Sequence, residues 1–346
     1  MKQQVYHYKK PFKLEAGSLL PGISIAYHTW GRLNEAKDNV IWICHALTAN
    51  SNAEEWWKGM IGKGCSFDPA HHFIVCANIL GSTYGTTGPM SIDEATGKPY
   101  GRNFPLITIR DMVAAHELLR QHLGINKIHL LAGGSMGGYQ ALEWSVSHPS
   151  FIQHLFLMVT SARETAWGIA IHTAQRLAIE ADSSWQENDP RGGEKGLAAA
   201  RAMGMITYRN YEAFMSTQAD EDKNKLDDFK ATSYIKHQGN KLTKRFNAYS
   251  YYTLTKAMDT HNLARGREGS IEQIVQGIQQ PALVMAIQSD LLCPVAELKL
   301  LADHMPNSRF IQVDSLYGHD GFLVETAIIT LHLQNWMKDL EPRCKK

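Results

Sequence analysis

Ile128-His129-Leu130-Leu131-Ala132-Gly133-Gly134-Ser135-Met136-Gly137-Gly138-Tyr139-Gln140-Ala141-Leu142-Glu143-Trp144 carries an apolar run, a glycine-rich turn around a serine, and the opening of a helical pattern. The first five residues read as a strand buried on both faces, and Met136–His148 reads as a helix. A G-x-S-x-G set at such a junction is a nucleophile elbow. Its glycines answer a steric need, because the serine backbone is bent into a sharp turn where flanking side chains would collide. The gain is an exposed hydroxyl whose neighbouring backbone N–H, that of Met136, can face a developing oxyanion at the helix start. The plainer alternative is a glycine-rich turn with no chemistry. The two differ in whether a base and its orienting carboxylate follow in the chain.

Outward from this stretch, short apolar runs alternate with helical patterns. Candidate strands are Ile23–Thr29, Val40–Cys44, Phe73–Ala77, Ile128–Ala132, Leu155–Thr160, Ala282–Ile287 and Phe310–Val313. Candidate helices are Thr108–Leu123, Met136–His148 and Phe322–Leu340. Such alternation predicts an α/β fold with a mostly parallel central sheet and right-handed crossovers. It stops after Thr160. From about Ala162 to Gln279 the chain reads mostly helical, with polar breaks at Asp182–Glu194 and Gln218–Lys225, before Pro281–Ile287 resumes the strand signal. The expected organisation is therefore one sheet domain, 1–161 and 280–346, interrupted by a helical cap at 162–279.

A serine hydroxyl needs a histidine to take its proton and a carboxylate to hold that imidazole. After an elbow, these should come in the order Ser, Asp or Glu, His, in loops that follow later strands. Asp290 follows the run Ala282–Ile287, and His319 follows Phe310–Val313, flanked by Gly318 and Gly321. Of the sixteen histidines, only His304, His319 and His332 lie beyond the insertion, and the first and last sit in helical patterns. Asp314 is a rival orienter, but it lies too near His319 and on the wrong strand. A second oxyanion donor should come from the loop after an earlier strand. Val40–Cys44 is followed by His45-Ala46-Leu47-Thr48, which makes the Leu47 N–H the candidate, with Thr48 close by; a plain strand end is the alternative.

Composition excludes several other roles. The 346 residues carry 35 basic and 34 acidic side chains, a net charge of +1, so no basic excess points to nucleic acid. With 44% hydrophobic and 20% charged residues the chain is able to bury a core. Five scattered cysteines (Cys44, Cys65, Cys76, Cys293, Cys344) form neither a disulfide framework nor a CxxC pair. No apolar run approaches the roughly 20 residues needed to span a bilayer, and the start, through Lys9-Lys10-Pro11, has no apolar signal segment. The expectation is a cytoplasmic protein with no membrane or nucleic-acid partner. H-E-x-x-H, G-x-x-x-x-G-K-[ST] and helix-opening G-x-G-x-x-G motifs are all missing, so no metal and no tightly bound cofactor is expected. His71-His72 reads as a surface or boundary feature.

These residues resemble the homoserine O-acetyltransferases, α/β-hydrolase-fold enzymes of methionine biosynthesis, over nearly the whole chain. The likeness runs through His45–Thr48, Asn78–Ser82, Tyr84–Pro89, Thr96–Gly101, Gly133–Gly138 and Ala141–Trp144. It continues in Ile206–Arg209, Leu254–Asp259 and Tyr317–Glu325. The resemblance implies Ser135, Asp290 and His319 as the triad. It further implies that Arg201, Tyr208 and Asp320 hold the amino-acid acceptor, L-homoserine, with acetyl-CoA as co-substrate, and that the chain forms a homodimer through the cap. A carboxylate suits an arginine fork and an ammonium suits a carboxylate. Arg201 and Tyr208 are about two helical turns apart and would share a face. On residue patterns alone, they would read as a solvated arginine and a packed tyrosine.

The chain departs from the family pattern in two places. Ala49-Asn50 stands where a glycine and an acidic residue are common, and Asn247 stands where an aspartate is usual. A succinyl donor, a serine acceptor, or simple ester or thioester hydrolysis would use the same triad. The hydrolase would gain nothing from Arg201 and Asp320.

Overall fold

The structure is a computed structural model that describes residues 2–187 and 189–340; Cys344 lies outside the described residues. Eight strands form the main sheet: β1 Gln4–Tyr8, β2 Ile23–Trp30, β3 Val40–Cys44, β4 Phe73–Ala77, β5 Ile128–Gly134, β6 Leu155–Met158, β7 Ala282–Ile287 and β8 Ser308–Val313. They lie in the order β1-β2-β4-β3-β5-β6-β7-β8. The pairs β1–β2 and β2–β4 are antiparallel, and all the others are parallel.

Every residue of β3 and β7 is buried, as helices on both faces of a parallel sheet require. The register aligns Cys44 with Gly133, Gly134 with Met158, Met158 with Met285, and Ile287 with Val313. The loops carrying Leu47, Ser135, Asp290 and His319 therefore leave the same rim. The chain runs from β3 out to β4 and then crosses back to β5 on the other side of β3. This reversal opens a crevice at the carboxyl ends of β3 and β5, where open α/β sheets bind ligands.

Strand boundaries match the sequence expectation where residues are apolar and diverge where local chemistry intervenes. β6 ends at Met158, two residues early, because Val159 turns to a positive φ of 41° and Thr160 turns its hydroxyl onto the elbow. β8 begins two residues early, since an edge strand can pair through polar Ser308 and Arg309. The antiparallel edge strand β1, half-exposed, had no apolar signature.

The helices on the sheet have local causes. α1, Ile109–His122, opens with a capping box in which the Thr108 hydroxyl accepts from the Asp111 N–H and the Asp111 carboxylate accepts from the Thr108 N–H. α2, Met136–Ser147, follows the elbow and packs against α1. Between β6 and β7 come α3 Ala166–Glu180, α4 Glu194–Tyr208, α5 Tyr211–Gln218, α6 Lys230–Thr243, α7 Ala248–Asp259 and α8 Ile271–Gln276. In this segment α3 packs on α4 and α7, and α4 on α6.

The outgoing and returning chains pair where this segment begins. Arg163 and Asn262 form an antiparallel bridge, flanked by Glu164 N–H to His261 O at 2.8 Å and Leu263 N–H to Ala162 O at 3.0 Å. Residues 264–279 then run beyond this stem into α8. The C-terminal part adds α9 Val295–His304, α10 Gly321–Val324 and α11 Thr326–Leu340. The single helix expected over Phe322–Leu340 is thus broken at Glu325, next to the Phe322 carbonyl, which accepts the buried Trp57 indole N–H at 3.1 Å.

The elbow glycines are held by contact. A Cβ on Gly137 would lie 2.1 Å from the Cys44 carbonyl oxygen, and one on Gly133 would lie 2.3 Å from the Gly137 carbonyl oxygen. Backbone cannot rotate away as a side chain can. Gly137→Ala should therefore lower the urea midpoint by the equivalent of about 1–3 kcal/mol, the usual cost of overpacking. A wild-type midpoint would show that the close approach of α2 to β3 is not required.

Candidate active site

Ser135 sits between β5 and α2 at φ 56° and ψ −129°, a conformation that costs a non-glycine residue about 1–3 kcal/mol. It is held from both sides. Its N–H donates to Met158 O at 3.0 Å, and its carbonyl accepts the Thr160 hydroxyl at 3.0 Å. The result is a hydroxyl projecting from the sheet rim at the start of a helix.

Asp290 and His319 come from the loops after β7 and β8, which Ser289 ties together. Its hydroxyl donates to Ser315 O at 2.5 Å and accepts the Gly318 N–H at 3.1 Å. Gly318 has φ 59°, and a Cβ there would meet Tyr208 O at 2.8 Å, so the turn before the histidine requires glycine. His319 Nε2 is 2.9 Å from Ser135 Oγ, and His319 Nδ1 is 2.7 Å from Asp290 Oδ2. The other carboxylate oxygen accepts the backbone N–H groups of Leu292 at 2.8 Å and Cys293 at 2.9 Å.

An ionised carboxylate only accepts, so Nδ1 carries the ring proton and Nε2 is left to accept from the serine hydroxyl. All three side chains are buried. Asp314, the rival orienter, is exposed. Burial by itself lowers the His319 pKa, but the charge and hydrogen bond of Asp290, helped by Asp320 and Glu164, more than reverse this and leave it raised.

The oxyanion candidates lie on adjoining segments. Met136 opens α2, and Leu47 follows β3 and lines the cavity above Ser135. Among the described residues neither of their N–H groups donates to a protein acceptor. Buried Gln140 ties the segments together, its amide donating to His45 O and Met136 O, each at 3.1 Å. His45 is itself fixed, with Nδ1 2.9 Å from Ala46 O and Nε2 accepting the Ile79 N–H at 3.2 Å. Burial drives its pKa down to about 4, so it is a neutral strut.

A cavity of about 480 Å³ opens over the serine, lined by Ser135 and His319 together with Thr48, Arg201, Tyr208 and Asp320. Arg201 and Tyr208 share a face of α4, the guanidinium 5.2 Å from the phenol ring centre. The Tyr208 ring is 5.8 Å from that of His319, so this pair stands beside the base. Asp320 accepts from Arg209 Nε at 3.1 Å. The structure therefore brings the expected triad, oxyanion pair and acceptor set together at one rim.

It also adds residues that reading the sequence missed. Arg209 shares Asp320, Gln140 spans the oxyanion segments, and Lys241 and Arg245 of the insertion line the cavity. Arg245 donates to Thr48 O. A lone arginine or glutamine within a helical pattern carries no signal of this kind. Asn247 still caps α7, accepting the Ser250 N–H at 2.8 Å while donating to Thr83. Among donors suited to a cation, Asp290, Cys293 and His319 have ligand atoms all within 4.8 Å of one another.

A His319 that acts as the base for Ser135 must be neutral to take its proton. With its pKa raised above 6.5, kcat/KM should fall on the acid side at a higher pH than for a free imidazole. Asp290→Asn should move that limb to lower pH, and it should reduce kcat by about ten-thousand-fold through loss of the correct tautomer. An unmoved limb in this variant would separate Asp290 from the titration.

A family model described as alpha/beta hydrolase fold matches residues 39–326. The chain is 46% identical to a homoserine O-acetyltransferase of Chlorobium luteolum over 339 residues, covering 96% of this chain and 93% of that one. Among solved structures, a homoserine O-acetyltransferase from Bacillus anthracis superposes with a TM-score of 0.90 at 24% identity, covering 97% of each chain. Esterase E22 shares the fold, with a TM-score of 0.88 at 23% identity, covering 97% of this chain and 99% of that one. By its full-length likeness, its fold and its Ser135–His319–Asp290 geometry, the chain belongs to the homoserine O-acetyltransferase family of α/β-hydrolase-fold acyltransferases.

Proposed function

We propose that the chain transfers an acetyl group from acetyl-CoA to the hydroxyl of L-homoserine through an acetyl-Ser135 intermediate. His319 takes the Ser135 proton as Oγ attacks the thioester carbonyl, and the N–H groups of Met136 and Leu47 hold the tetrahedral oxyanion. The thiolate leaves with the proton from His319. The acceptor hydroxyl then gives its proton to His319 and attacks the acetyl-serine carbonyl; as the ester departs, His319 returns that proton to Ser135 Oγ and restores the serine hydroxyl.

The observation that carries this reading is one cavity holding a nucleophile with its base and, beside them, side chains of opposite charge, Arg201 and Asp320. An α-amino acid fits that pair, its carboxylate toward Arg201 and Tyr208 and its ammonium toward Asp320. Asp320 already pairs with Arg209, so the ammonium would join an existing ion pair and meet a carboxylate held in place. A simple ester hydrolase has no use for this arrangement. Transfer rather than hydrolysis follows if the oriented alcohol reaches the acyl-enzyme before water does, a matter of proximity that segment 162–279, acting as a cap, would supply.

The same reading makes the protein a cytoplasmic enzyme of methionine biosynthesis with no tightly bound cofactor. Among the described residues no helix is long and apolar enough to cross a membrane. A homodimer through the cap is supported by exposed apolar side chains there, Trp167 at 55%, Leu177 at 59%, Ile206 at 60% and Met215 at 52%.

Mass spectrometry of products from acetyl-CoA or succinyl-CoA paired with homoserine or serine tests the assignment. O-acetylhomoserine should dominate, whereas free acetate alone would point to a hydrolase. Ser135→Ala should abolish acyl-enzyme labelling. Arg201→Ala should still label but raise KM for homoserine roughly 10- to 100-fold, matching the loss of a charged hydrogen bond of about 1.5–3 kcal/mol. An unchanged KM would remove Arg201 from the acceptor site.

A further inference from the structure

We propose that Asp290, Cys293 and His319 form a binding site for a thiophilic divalent cation of the zinc or cadmium class, and that its occupation switches the enzyme off. The three donors are an imidazole nitrogen, a carboxylate oxygen and a thiol sulfur, all buried and all within 4.8 Å of one another. A tetrahedral zinc holds such atoms about 3.5 Å apart, so modest side-chain rotation closes the set. Thiolate with imidazole is the donor pair that soft cations prefer, and the Asp290 carboxylate supplies a third ligand. Burial raises the Cys293 thiol pKa, and the negative charges of Asp290, Glu164 and Glu297 raise it further, so the same charges that attract a cation leave it a thiol proton to displace. Of the three, only His319 lines the cavity, so a cation entering there must pass the imidazole to reach Asp290 and Cys293. Catalysis makes no use of the Cys293 thiol; only the Cys293 backbone N–H touches Asp290.

Occupation would act on the tautomer. His319 Nδ1 faces Asp290 at 2.7 Å, while Nε2 faces Ser135 at 2.9 Å, so a cation held by Asp290 and Cys293 takes Nδ1. The Cys293 S–H bond breaks, its proton leaves to solvent and a sulfur–metal bond forms. The imidazole stays neutral as its proton passes from Nδ1 to Nε2, and the Nδ1 lone pair binds the cation. Nε2–H then donates to Ser135 Oγ and can no longer take a proton from it. The inhibitory half of this inference rests on His319 being the base for Ser135; the binding half does not.

Titration of the full chain with cadmium, followed by the ultraviolet thiolate-to-metal charge-transfer band, reads binding without turnover. The band should saturate with a component absent from Cys293→Ser and Cys293→Ala, both of which keep the backbone N–H on Asp290. Cadmium or zinc should inhibit the wild type reversibly, with chelator restoring the rate. Measured against its own metal-free rate, each variant should need roughly tenfold more cation for half-inhibition, a loss of the size seen when even outer partners of a ligand are removed. A band identical in wild type and variants, or equal inhibition of all three, would overturn the proposal. A metal-free wild type that makes no O-acetylhomoserine would instead refute the proposed function and leave the band result standing.

Discussion

Ser135 is held in a backbone conformation it would not adopt alone, and the site depends on the contacts that keep it there. Met158 and Thr160 grip its N–H and carbonyl, while Gly137 lets α2 approach within contact of the Cys44 carbonyl. That approach sets β3 and its following loop beside the helix start. The two oxyanion candidates, Leu47 and Met136, belong to segments that Gln140 then joins. Strain at one residue is thus balanced by ordinary hydrogen bonds and close packing around it, the usual circumstance in which such strain persists.

Electrostatics divides the remaining work. The buried Asp290 carboxylate is saturated with donors, two backbone N–H groups and the His319 ring, so its charge is held without needing water. That charge offsets the desolvation of His319 and leaves the imidazole more basic than burial alone would allow. By contrast His45, equally buried but facing only backbone groups, is driven to about 4 and serves as structure. Two histidines on the same rim therefore differ in role because one faces a carboxylate and the other does not.

In the proposed function, segment 162–279 contributes recognition. Arg201, Tyr208 and Arg209 come from α4 and its end, while Asp320 comes from the sheet side, so the proposed acceptor pocket exists only where the two meet. Arg245 reinforces that junction by reaching the Thr48 carbonyl across it. The paired stem at Arg163 and Asn262 fixes where the segment leaves the sheet and where it returns.

Much of this was legible in the residues. Continuous apolar runs marked the buried strands, because a sheet covered on both faces admits little else, and the elbow's glycines together with the order Ser135, Asp290, His319 followed from steric and proton-transfer requirements. The polar edge strand β1 and the break at Glu325 left no local trace, since one needs only backbone pairing and the other adjoins a carbonyl reached by the distant Trp57. The sequence by itself determined which side chains are candidates for the chemistry and which strands their loops follow. Only the tertiary structure decided that Arg209 shares Asp320, that Gln140 spans the oxyanion segments, and that Cys293 lies against the His319–Asp290 pair. Such contacts join residues far apart in the chain, and their geometry is set by packing, which no local pattern records.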